Sequence, residues 1–91
     1  ELARMMTYKA ASLQASGESA ALEAAMAKMV ASETAMRTTD RGMHIMAGSA
    51  YMMESDMQRY WRDARLFTFA PLTNEMVRNF VGQSLGLPKS Y

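Results

Sequence analysis

Few residues in this chain could do chemistry. His44 is its one histidine, cysteine is absent, and no serine sits in a recognisable nucleophile motif. A disulfide framework, a thiolate zinc site and a Cys nucleophile are therefore excluded. Two carboxylates, Glu33 and Asp40, project from an apolar helical stripe, a placement that acid–base or metal chemistry uses. They stand seven residues apart, roughly 10 Å along a helix at about 1.5 Å per residue, too far to share one ion. Contact with Arg or Lys of an adjacent helix or subunit accounts for them better, and Glu33 can also pair with Arg37 at i,i+4. Arg59, Arg62 and Arg65 recur every third residue. By default they form a solvated flank whose ion pairs are worth about 0–1 kcal/mol each. A lone His near the end of an apolar helix is usually structural, and methionine-rich faces are adaptable packing surface rather than a metal box.

Composition narrows the classes further. Ninety-one residues make one domain at most, burying roughly 60–65% of the unfolded surface. A net charge of +1 argues against a broad nucleic-acid footprint. No apolar run is long enough to span a bilayer, and no signal peptide is visible. Eleven methionines and many alanines, against two prolines and five glycines, favour helix throughout. The sequence begins at Glu1, inside what already reads as a helix, so the chain is expected to be a fragment of a longer protein.

Four helices are needed to position these residues. From Leu2 to Ala15, Leu2, Met6 and Leu13 share one face. Lys9 lies in the same stripe, its stem covering apolar surface or its ammonium meeting a carboxylate of a neighbouring helix. Gly17 supplies a left-handed C-terminal cap and Ser19 an N-cap for the next helix. That helix is long, from about Ala20 to Ala47, with Leu22, Met26, Met29, Met36 and Met43 on one stripe. Gly42 in its middle predicts close approach of a partner helix or of a ligand. Ser55 caps a third helix whose inner face is Met57, Tyr60, Trp61 and Ala64, with Phe67 to Phe69 as its frayed end. Pro71 separates it from a fourth, capped by Thr73, with Met76, Val77, Phe80 and Val81 buried. Gly86 and Pro88 end that helix. The prediction is an all-α, up-down four-helix bundle spanning residues 1–91 as a single domain.

Five segments in register resemble the C-terminal helical domain of the acyl-CoA dehydrogenases. Tyr8-Lys9-Ala10-Ala11 is similar to the family's Tyr-Arg-Ala-Ala, and Met26-Ala27-Lys28 to its Ala-Met-Ala-Lys. The corner Ala47-Gly48-Ser49-Ala50-Tyr51 resembles a Gly-Gly-x-Gly-Tyr corner, followed by the Arg-Asp-Ala-Arg run at 62–65 and by Thr73, Glu75 and Arg78 of a Thr-x-Glu-x-x-Arg segment.

The resemblance implies FAD as cofactor, held partly by a Gln-x-x-Gly-Gly run. That run falls here on His44, Ile45, Met46, Ala47 and Gly48, with His for Gln and Ala for the first Gly. A second implied FAD contact is the helix start at Thr73, Asn74 and Glu75, where exposed N–H groups favour an anion. No catalytic residue is expected among these 91, because the relatives' usual Glu position reads Pro71, and proline cannot be a base. The base would then be a carboxylate upstream of Glu1. No metal is implied.

By the same resemblance the parent protein is an α,β-desaturating oxidoreductase. It would act on acyl-CoA, pass electrons to an electron-transfer flavoprotein, and assemble as a homotetramer or dimer in a bacterial cytoplasm or a mitochondrial matrix. Two rival readings follow from the departures. Pro71 suggests other flavin chemistry, or none. The missing glycines suggest a non-enzymatic helical interaction module.

Overall fold

The computed structural model describes residues 1–89 and is helical throughout. The four expected helices are α1 (Leu2–Ala15), α2 (Ala21–Met46), α4 (Asp56–Leu66) and α5 (Asn74–Ser84), and a fifth, α3 (Gly48–Tyr51), occupies the corner. The expected count of four is thus corrected by one turn. Ala47 leaves the helical region at φ 51 and ψ −134 and ends α2. The chain then winds once more, with the Ala50 N–H reaching the Ala47 carbonyl at 3.0 Å and Ala50 fully buried.

Helix ends follow local chemistry. After α1 and α5, Gly17 and Gly86 take positive φ, 79 and 95. The residues behind them donate back across the last turn, Glu18 to the Leu13 carbonyl and Leu87 to the Gly82 carbonyl, both at 3.0 Å. These are six-to-one bonds that satisfy orphan carbonyls. Ser55 and Thr73 cap as expected, each hydroxyl accepting a backbone N–H at 3.2 Å, from Met57 and Met76. Ser19 does not cap. Ala20 holds that position with no side-chain bond, and the Ala24 N–H closes on its carbonyl at 2.8 Å.

Helix α2 is the spine. Helices α1, α4 and α5 each pack on it rather than on one another, giving a slab of 46 × 32 × 19 Å, about two helix diameters thick. Close approach rests on small residues: the buried apolar side chains are Ala27, Ala50, Ala64 and Val77. At Gly42 a Cβ would stand 2.8 Å from the Met57 methyl, so glycine there admits a side chain of α4. Larger apolar residues stay partly open. Tyr60, Met76 and Phe80, expected inside, are exposed, and Tyr60 instead lies 5.4 Å under the Arg59 guanidinium. Lys9 is exposed and stands 3.8 Å from Glu23 of α2, a surface pair of little energetic weight.

Ala47 carries a Cβ in a backbone region that glycine tolerates and alanine resists, at a cost of order 1–3 kcal/mol. Ala47→Gly is expected to stabilise the parent protein by about 1 kcal/mol, the sign that relief of this strain dictates. Urea unfolding checks it, and a lower midpoint at unchanged slope would contradict it.

Candidate functional site

The start of α5 is held by a polar cluster on α2. Asn74, only 3% exposed, accepts at Oδ1 from Lys28 Nζ at 2.7 Å. Its amide nitrogen donates to Ser32 Oγ at 3.0 Å and to Glu33 Oε1 at 3.4 Å. The single Ser32 proton has Met29 O and Asn74 Oδ1 within reach, at 3.1 and 3.2 Å. Lys28 Nζ also donates to the Leu72 carbonyl at 2.6 Å. Glu33 is ion-paired with Arg78 of α5. Expectation of an Arg on an adjacent helix therefore holds for Glu33, and Arg37 is not that partner. Asp40 differs: it accepts from the indole Nε1 of Trp61 at 3.2 Å.

This cluster narrows what the helix start can offer an anion. The Asn74 N–H is held by the Thr68 carbonyl at 3.0 Å and the Val77 N–H by the Thr73 carbonyl at 3.1 Å, while Met76 N–H goes to the Thr73 hydroxyl. Glu75 keeps the one first-turn N–H without an acceptor among the described residues, and the Thr73 O–H proton is also left to donate. The Asn74 side chain is taken up inside the protein. Three polar partners, Lys28, Ser32 and Glu33, enclose it.

The second expected segment lies elsewhere. His44, Ile45 and Met46 end α2 with exposed side chains, Ile45 at 81%. Space above Gly48 is open: a Cβ there would meet nothing within 4 Å. A phosphate oxygen could approach this backbone closely, as an anion site requires. Ser32 and Glu33, where Asn74 sits, precede His44 by eleven or twelve residues of the same helix, roughly 16–18 Å at its rise. One copy of the chain does not bring the two segments together.

An open groove of about 810 Å³ runs between α2, α4 and the start of α5, lined by Glu33, Asp40, Trp61, Arg65, Phe69 and Glu75 among others. Both acidic residues of the apolar stripe face it. No group of three His, Asp or Glu that could hold a metal occurs among the described residues. Sequence reasoning missed Lys28 and Ser32. Their partners lie 42–46 residues away in sequence, and no local periodicity marks such a contact.

The family description "acyl-CoA dehydrogenase, C-terminal domain" matches residues 1–86. The acyl-CoA dehydrogenase FadE12 of Mycobacterium tuberculosis is 45% identical, over 100% of this chain and 24% of its own length. The solved structure of butyryl-CoA dehydrogenase from Megasphaera elsdenii superposes with a TM-score of 0.89 at 37% identity, covering 92% of this chain and 22% of that one. A structure from work on the electron transferring flavoprotein of Acidaminococcus fermentans gives a TM-score of 0.90 at 32% identity, covering 96% and 23%. The chain spans about a quarter of the length of the relatives it matches.

Asn74→Ala removes one of two acceptors from Lys28 and both Asn74 bonds from the buried Ser32 hydroxyl, and lost pairing of buried groups costs about 1–3 kcal/mol. Urea unfolding of the parent protein should show Asn74→Ala less stable by about 2–3 kcal/mol. His44→Ala, at an exposed site, should stay within about 0.5 kcal/mol. Equal, small effects would deny the cluster its structural role.

Proposed function

This chain belongs to the acyl-CoA dehydrogenase family, and we propose that it forms the C-terminal helical domain, a single domain, of an FAD-dependent enzyme desaturating acyl-CoA thioesters. The observation that supports this most is the match across residues 1–86. Acyl-CoA as substrate, an electron-transfer flavoprotein as acceptor and a homo-oligomeric assembly belong to the same proposal. Among the described residues no helix is long and apolar enough to cross a membrane.

The chain's own part is binding. His44, exposed at the end of α2, is placed to hydrogen-bond the nucleotide, with Ile45 and Met46 beside it. Ala47 and Gly48 leave backbone open to phosphate oxygens, and the empty space at Gly48 fits that use. Thr73 offers its hydroxyl proton and Glu75 its N–H, at the positive end of the α5 dipole. Asn74 contributes by holding that end in place. The two segments are far apart in one copy, so two copies contacting two cofactors fit the geometry better than one copy wrapping one. The chemistry supplied by FAD, when bound, is acceptance of a hydride from the acyl chain. Pro71 cannot take the accompanying proton, and we assign that role to a carboxylate of the parent protein outside these residues.

Pro71 also favours a second reading, a family member with other flavin chemistry. Anaerobic flavin bleaching by a panel of acyl-CoA thioesters separates the two. The parent protein should bleach, and Glu54→Gln and Glu75→Gln should bleach at nearly its rate. A loss of about 100-fold or more in either variant, the scale of a missing general base, with FAD still bound, would place the base here. Gly48→Leu should weaken FAD retention on titration, and parental affinity in that variant would remove the corner from the site.

A further inference from the structure

Lys28 places its ammonium in the join between α2 and α5. It donates to the Leu72 carbonyl at 2.6 Å and to Asn74 Oδ1 at 2.7 Å, so one charged group grips the backbone before Thr73 and the side chain after it. Its neighbours Ser32 and Asn74 are 5% and 3% exposed, which partly shields the charge-assisted bond to Asn74 from water and strengthens it, while the bond to Leu72 lies at the surface.

Little else fixes this part of the chain. Helix α5 packs on α2 and does not pack on α4. Pro71 and Leu72 are exposed. The connection from α4 is tied by the Ala70 N–H to the Leu66 carbonyl and the Asn74 N–H to the Thr68 carbonyl, both at 3.0 Å. Beyond these, the bonds of Asn74 to Ser32 and Glu33 and the Glu33–Arg78 pair are polar links to α2. Among the described residues, only Lys28 bonds to both sides of Thr73.

We propose that Lys28 is a positioning residue: its ammonium sets the start of α5 against α2 and so places Thr73 and the Glu75 N–H for an anionic group of the cofactor. The proposal rests on the reading of Thr73 as a flavin contact. A loop free to shift would average the two donors over many positions, and binding would bear the cost of ordering them. Methionine at 28 keeps the length of the stem and removes the donors. Arginine is no conservative replacement, since its planar fork cannot reproduce a compact ammonium between two acceptors.

The test is a double-mutant cycle on FAD affinity in the parent protein, with Lys28→Met, Thr73→Ala and the pair. Each single change is expected to weaken binding about tenfold, the scale of one charge-assisted bond. The pair should lose clearly less than the two single losses combined, because Lys28 acts in part through Thr73. Amide exchange in the FAD-free protein supplies a readout that does not depend on the cofactor. Lys28→Met should speed exchange at the Asn74 amide, which is bonded to the Thr68 carbonyl, about tenfold while α1 keeps its parental rates. Lys28→Gln, which retains one donor, should fall between and serves if the methionine variant does not accumulate. Additive losses, or parental exchange at Asn74 in Lys28→Met, would overturn the proposal. Parental FAD affinity in Thr73→Ala would overturn it by another route, through failure of the flavin-contact reading itself.

Discussion

The join between α2 and α5 is polar, and the placement of the chain's last helix depends on it. Lys28, Ser32 and Glu33 on one side meet Asn74 and Arg78 on the other. Apolar burial alone would define the arrangement weakly, because the buried apolar residues are three alanines and a valine. A buried polar network accepts few registers, since any slip strands a donor at a cost of about 1–3 kcal/mol. The Lys9–Glu23 pair shows the contrast. At 3.8 Å, with the lysine side chain 61% exposed, it carries no such constraint.

A spine with helices on it, rather than on each other, leaves wide apolar surface. Leu2 and Met5 on α1, Tyr51 and Met53 at the corner, and Phe67 and Leu72 before α5 are all more than half exposed. Monomeric proteins seldom leave this much open in contiguous patches. The proposed assembly accounts for it, as does the chain's span of about a quarter of its relatives' length. The same openness leaves the corner at Gly48 accessible from outside the chain.

Helices were legible in the sequence wherever the signal was local. Periodic apolar residues located α1, α2, α4 and α5, and Gly17, Ser55, Thr73 and Gly86 marked their ends through the chemistry of single residues. Gly42 announced a close contact, and Met57 makes it. Ser19 misled because alanine filled the cap position next to it. Tyr60 and Phe80 misled because an apolar stripe tells which face turns inward in a complete assembly, whereas one slab covers only part of that face. Asn74 entered as part of a helix start with exposed N–H groups, and nothing near it in sequence says that Lys28 and Ser32 enclose its side chain. Of the candidate site, composition and spacing revealed almost nothing. His44 to Gly48 and Thr73 to Glu75 came from the family resemblance, and the fold then separated exposed residues from the enclosed one.

The central claim is that two distant stretches of this chain, His44 to Gly48 and Thr73 to Glu75, each meet a flavin nucleotide while Asn74 stays enclosed. Hydrogen–deuterium exchange on the parent protein, with and without FAD, tests it most directly. The expected result is slower exchange at Gly48 and Glu75 when FAD is bound, with the Asn74 amide protected in both states. Unchanged exchange at both Gly48 and Glu75 on saturation with FAD would contradict it.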